Sequence, residues 1–152
     1  MLLGLDYLVS HAHGAGRLDE ARRALVQGLY LSVGLAAVLT VVVWVLDAHL
    51  AAFGLQPEVA AATRPYLRAL LWSLLPLLLY ATLRRYLQAL GRVRAVMAAL
   101  LSANLINLAV NWLLVFGHWG LPAMGAEGSG WATTAARVYL FLFLLVAWIR
   151  HE

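Results

Sequence analysis

The chain has 152 residues, of which 64% are hydrophobic and 12% charged, and its mean hydropathy is +0.83. A soluble domain of this length needs a polar coat that so few charged side chains do not supply, which leaves lipid as the solvent. The formal charge of +4 rests on eleven basic residues, all arginine, clustered between apolar runs instead of forming a basic stripe interleaved with aromatics. That pattern argues against nucleic acid as a partner, and the lack of cysteine removes disulfides and thiolate metal sites.

Residues 1–13 read as the last part of a membrane span whose beginning lies outside the sequence. They are not a signal peptide, because no basic segment precedes them and Asp6 interrupts the apolar run. Asp6 stands about eight residues before Gly14, roughly 12 Å up a helix from its end, which is within hydrocarbon. A carboxylate at that depth is costly enough to count as a proton or cation site; the alternative is a protonated carboxyl hydrogen-bonded to a neighbouring helix. His11 and His13 point to nearly opposite sides of a helix, so they make no metal pair, and no metal is expected elsewhere.

The segment GRLDEARRAL reads either as a short amphipathic helix at the membrane surface or as a solvated connector. Full spans are expected at about 24–46, 66–83, 95–116 and 131–149, each near the roughly 20 residues that cross a hydrocarbon core. Helices are the default in lipid, and the absence of strict alternation disfavours barrel strands, so the fold class is an all-α, multi-pass transmembrane bundle. Pro76 lies in the middle of the second full span and predicts a kink. Between spans, Pro57 and Pro65 read as turn formers in one loop. Pro122 and five glycines from Gly117 to Gly130 read as a flexible second loop, since that cluster follows no strand and has no phosphate-binding lysine.

Arg17, Arg22, Arg23, Arg84, Arg85, Arg92, Arg94 and Arg150 fall on alternate span ends and hence on one side; Arg64, Arg68 and Arg137 belong to the other. The positive-inside rule makes residues 14–23, 84–94 and 150–152 cytoplasmic, with the plasma (inner) membrane as the location. Arg137, six residues into the last span, reads as snorkelling to the outer surface in preference to forming an anion site. Tyr66, Tyr80, Tyr86, Trp112 and Trp119 read as interfacial anchors.

The run NLINLAVN places Asn104, Asn107 and Asn111 on one narrow helical face. Burying an unpaired amide costs on the order of 2 to 7 kcal/mol, so that face is turned to protein or to a watered cavity. Two readings stay open: interhelical glue, or the lining of a translocation cavity in which each carboxamide offers a donor and an acceptor. No Ser-His-Asp constellation or paired-carboxylate site stands out, so the chain is not expected to be an enzyme.

Several stretches together resemble the multidrug and toxic compound extrusion (MATE) transporters. GLDYLVSHAHGAGRLDEARR resembles the family's helix-end motif, in which VSQ and two variable positions precede GAG, here Gly14, Ala15 and Gly16. YLRALLWSLLPLLLYATLRRYLQALGRVR, with Pro76 and Gly91, is similar to the fourth helix and its cytoplasmic turn. NLINLAVNWLLVFGHWGLPAMGAEGSGWATTAAR, ending at Arg137, is similar to the fifth helix, outer loop and start of the sixth. The resemblance implies a two-lobe, twelve-helix fold of which residues 1–152 are part of the first lobe, from the end of helix 2 through helix 6. It implies export of drugs or of small cationic and amphipathic solutes in exchange for H+ or Na+, with no cofactor. Its partners would be the lipid bilayer and the missing first helix and second lobe.

By that resemblance Asn107 and Asn111 fall on positions that help form a cation site, and Asn104 is left as glue. Position 111 is an Asp in some members, so its neutrality here shifts weight to Asp6 or to a carboxylate outside the chain. His11 replaces the Gln of VSQ. Rival readings are a lipid or oligosaccharide flippase of a related bundle and a non-transporting membrane subunit or gene fragment.

Overall fold

The computed structural model describes the backbone of residues 3–49 and 57–150, and the side chains of the same residues except 3–6, 13, 57, 60 and 62. Five helices follow in order: α1 Leu3–Gly14, α2 Leu18–Ala48, α3 Pro57–Ala89, α4 Val93–Phe116 and α5 Gly125–Ile149. The described chain is all-helical. Four segments, Leu18–Ala48, Thr63–Ala89, Val93–Phe116 and Gly125–Ile149, are long and apolar enough to cross a membrane. Even the shortest, at 24 residues, reaches about 36 Å against a hydrocarbon core of about 30 Å. Large apolar side chains stand exposed along α2 (Val38, Val41, Val42, Trp44) and α4 (Met97, Leu101, Leu105, Leu108), the pattern of surfaces bathed in lipid. The protein is a multi-pass membrane protein.

Cross-helix contacts set the directions. Ser32 meets Thr82 and Asp47 meets Arg68, so α2 and α3 are antiparallel. Thr134 meets Ala69 and Arg137 meets Ser73, so α3 and α5 run parallel. Gly128 lies against Leu114 and Tyr139 against Ser102, so α4 and α5 are antiparallel. α5 is wedged between α3 and α4, and the glycines explain how. Gly128 and Gly130 are two residues apart and so face nearly opposite ways. A Cβ on Gly128 would stand 2.8 Å from the Leu114 backbone, and one on Gly130 would stand 2.9 Å from the Ala69 Cβ. Small residues let helices approach this closely where lipid removes any hydrophobic drive to associate.

The main apolar core lies toward the end that carries most arginines. Val9 and Ala12 of α1, Ala21 and Leu25 of α2, Leu83, Tyr86 and Leu87 of α3, Val96 and Ala99 of α4 and Leu144 of α5 pack there. Two turns at that end close on left-handed glycines, Gly16 at φ +72° and Gly91 at φ +74°. In the second, Arg92 N donates to Leu87 O at 2.8 Å and Gly91 N to Gln88 O at 2.9 Å, the paired bonds that terminate a helix on a left-handed residue. The first has the equivalent outer bond, Arg17 N to Ala12 O at 2.9 Å.

Four sequence expectations need correction. GRLDEARRAL is neither a separate surface helix nor a connector: α2 is continuous from Leu18. Pro57 and Pro65 do not form a turn; Pro57 opens α3 and Pro65 and Pro76 lie inside it. Proline is well placed at the first helical position, where its missing N–H would have no partner. Pro65 and Pro76 each remove one intrahelical donor. The glycine-rich loop ends at Gly125, and Gly128 and Gly130 belong to α5. Tyr80 and Tyr86 are core residues, 6% and 2% exposed, and not interfacial anchors, whereas Trp119 is open at 87%.

Candidate functional site

α4 carries three distinct strips. Val96, Ala99 and Ala103 are its buried residues, and the exposed apolar strip of Met97, Leu101, Leu105, Leu108, Trp112 and Phe116 lies opposite them. By helical angle Asn104, Asn107 and Asn111 run along one flank between the two. Asn107 and Asn111 are half-buried and Asn104 is exposed. Asn111 Nδ2 donates to the Asn107 backbone O at 3.0 Å and to its Oδ1 at 3.1 Å, so these two amides form a unit one turn apart. Asn104 joins neither of them, and among the described residues it bonds to no other helix. The remaining amide donors and acceptors of the strip are open to an approaching polar group.

The other predicted positions scatter. Asp6 belongs to α1, and its side chain lies outside the described residues. Gly14 is the last residue of α1, Gly16 and Gly91 are the left-handed turn residues, and Pro76 stands within α3, one turn past Ser73. Because α5 starts at Gly125, Arg137 stands at mid-helix instead of near the outer end, and its guanidinium crosses to Ser73 of α3 instead of snorkelling. The structure therefore brings Asn107 and Asn111 together and places Arg137 on the α3 side of α5. Among the described residues no three metal-ligating side chains cluster.

Three polar features went unread in the sequence. Asp47, 7% exposed, pairs through Oδ2 with Arg68 Nε at 3.4 Å, while its Oδ1 is buried without a hydrogen-bond partner. Ser32 and Thr82 meet between α2 and α3. Thr134 Oγ1 donates across to Ala69 O at 2.8 Å. A signal for Ser32 was present: Ala21, Leu25, Gly28, Ser32 and Ala36, the buried face of α2, recur at intervals of three and four with mostly small side chains.

Comparison with known proteins adds a family to this geometry. The family model described as MatE matches residues 1–113. The chain is 40% identical over 142 residues to a probable multidrug resistance protein NorM of Geobacillus kaustophilus, covering 93% of this chain and 31% of that protein. The similarly named protein of Halalkalibacterium halodurans is 32% identical over 151 residues, 99% of this chain and 33% of its own length. That of Synechocystis sp. is 31% identical over 152 residues, 100% of this chain and 33% of its own length. The chain thus spans about a third of the length of the curated relatives it matches.

Proposed function

Since this chain belongs to the MatE family, we propose that it is the part of a secondary antiporter that runs from the end of helix 2 through helix 6 in the first of two lobes. The complete protein exports drugs or cationic and amphipathic metabolites in exchange for H+ or Na+. Cation binding and solute binding stabilise different lobe arrangements, and that difference couples the two fluxes. The observation that carries the reading is the similarity to multidrug resistance proteins along 93% to 100% of the chain.

The physical chemistry of α4 fits this role. A flank bearing three amides is too costly to turn to hydrocarbon, and among the described residues no other helix hydrogen-bonds to it, so it faces the cleft or a further helix of the complete lobe. Asn107 and Asn111 line the cation and solute path, and Asp6 or a carboxylate outside the chain takes the coupling ion. The arginine-bearing segments 14–23, 84–94 and 150–152 are cytoplasmic and the membrane is the plasma (inner) membrane.

The test is efflux. The full-length protein carrying this chain, reconstituted in liposomes, is expected to expel a cationic dye when a proton or sodium gradient is imposed and to stop when an ionophore collapses it. Absence of efflux under both gradients overturns the reading.

A further inference from the structure

Arg137 and Ser73 meet at the middle of their helices. Twelve residues of α5 (Gly125–Ile149) lie on either side of Arg137, and sixteen of α3 (Pro57–Ala89) on either side of Ser73. Arg137 is therefore about 18 Å from each end of α5, inside the hydrocarbon layer. Ser73 is fully buried and its Oγ donates to Leu70 O at 2.7 Å, which leaves the oxygen to accept from the Arg137 guanidinium. The pair is built so that the serine holds the arginine.

One hydroxyl does not satisfy a guanidinium, which has five donors, no acceptor and a charge it does not lose. Among the described residues no carboxylate shares its depth. Asp19 and Glu20 are in the first turn of α2, Glu58 and Glu127 in the first turns of α3 and α5, and Asp47 near the far end of α2 beside Arg68. α1, which carries Asp6, packs on α2 and α3. The Arg137 side chain is only half-buried, and a charge at this depth is not left facing lipid, so its open donors look into a polar space.

Leu114 against Gly128 and Ser102 against Tyr139 set Arg137 at the height of Asn104, the start of the neutral amide strip on α4. Arg137 and the amide strip thus share a depth but lie on opposite sides of α5, Arg137 toward α3 and Gly128 and Tyr139 toward α4.

We infer that Arg137 is a carboxylate-recognition position for transported solutes, held in place by Ser73. It selects amphipathic solutes that carry a carboxylate beside their cationic group, which it meets with two parallel charge-assisted hydrogen bonds. This inference rests on the transport reading above and narrows its substrate class to zwitterions.

The test uses two dyes that differ at one group, rhodamine B with its free carboxylate and the rhodamine B ethyl ester. Dye binding to the purified full-length protein in detergent is followed by fluorescence anisotropy, and efflux is followed in liposomes. The wild type is expected to bind rhodamine B more tightly than the ester. Arg137→Gln is expected to weaken rhodamine B binding about tenfold or more and to change ester binding less than about twofold. Arg137→Lys, which keeps the charge but not the fork, loses less, again with rhodamine B alone.

Equal effects on both dyes overturn the inference, because they mark an arginine that is structural or paired with a carboxylate of the protein itself. A wild type without preference for rhodamine B, or an Arg137→Gln variant indistinguishable from it, overturns it too. Should Arg137→Gln fail to fold, Arg137→Lys decides by the same contrast. Binding needs no gradient, so a protein that holds rhodamine B through Arg137 but exports neither dye keeps this inference and loses the antiporter reading. Coupled efflux of both dyes untouched by Arg137→Gln does the reverse.

Discussion

The hydroxyls of Ser32 on α2 and Thr82 on α3 lie 2.6 Å apart, both fully buried. Each also has a backbone carbonyl within reach, Gly28 O at 2.8 Å for Ser32 and Leu78 O at 3.1 Å for Thr82. Ser32 Oγ also lies 3.4 Å from Leu78 O of α3, so whichever hydroxyl donates to the other, the remaining proton has a carbonyl to take it. Truncating either leaves the survivor a carbonyl to fall back on, and no donor is orphaned. Ser32→Ala and Thr82→Val are therefore each expected to cost about 0.5–1.5 kcal/mol, with a coupling near 0.6 kcal/mol in the double variant. Reversible unfolding in detergent of the four proteins of the cycle measures it; zero coupling would remove the interhelical bond from the account.

At the α3–α5 seam the prediction reverses the usual helix preference. Alanine is favoured over glycine in a helix by about 1 kcal/mol, whereas forcing a methyl group into a packed contact costs about 1–3 kcal/mol. A Cβ on Gly130 would meet the Ala69 Cβ at 2.9 Å and Tyr66 O at 3.2 Å, so Gly130→Ala is expected to lower the unfolding temperature. Ala69→Gly in that background removes the tighter clash and is expected to restore part of the loss. Gly128→Ala meets the Leu114 backbone at 2.8 Å. No side-chain change relieves that contact, so its loss should be larger and resist rescue. Thermal unfolding of the three variants, followed by loss of the monodisperse detergent-solubilised form, separates these outcomes.

Glycines 128 and 130 also show where sequence reasoning stopped. Composition and run length were enough to mark four spans and their helical class, because lipid tolerates few alternatives. Helix ends were harder. Proline and glycine punctuate soluble chains, yet Pro57 here starts a helix, Pro65 continues it, and Gly128 and Gly130 are packing residues inside α5. A tyrosine that anchors at an interface and one that fills a core, such as Tyr86, have the same signature in one dimension. The amide face of α4 was legible from periodicity alone. The Asn107–Asn111 bond could be suspected from their four-residue spacing. Which helix Arg137 reaches, and that Asp47 meets Arg68, depends on the pairing of distant helices, which no local pattern encodes.

The Asp47–Arg68 pair joins a nearly buried acid to a mostly exposed base, with side-chain exposures of 9% and 69%. Asp47 is also the penultimate residue of α2, where the helix dipole disfavours negative charge. Arg68 offsets both penalties, although solvent screens it. Arg68→Ala is expected to destabilise the protein by about 1 kcal/mol, because it leaves a buried carboxylate without its counter-charge. Asp47→Asn should then recover stability in the Arg68→Ala background and so act in opposite directions with and without Arg68. The effect of Arg68→Ala should shrink at high ionic strength, where exposed charges are screened. Chemical unfolding at low and high salt checks both signs.

Asn111 gives its amide protons to Asn107, through the backbone oxygen at 3.0 Å and the side-chain oxygen at 3.1 Å, while Asn104 takes part in neither bond. Removing one member of such a unit disorders the other, so the consequences for transport should not add. In the full-length protein, Asn107→Ala and Asn111→Ala are each expected to reduce gradient-driven efflux of a cationic dye about tenfold, and the double variant little further. Asn104→Ala should stay within about twofold of wild type, because its exposed amide holds no other residue in place. Initial efflux rates at matched protein density in liposomes decide the matter. Equal losses from all three single variants would make the strip a continuous polar lining. No loss from Asn107→Ala or Asn111→Ala would detach the pair from the transport path and return these amides to a packing role against a helix of the complete lobe.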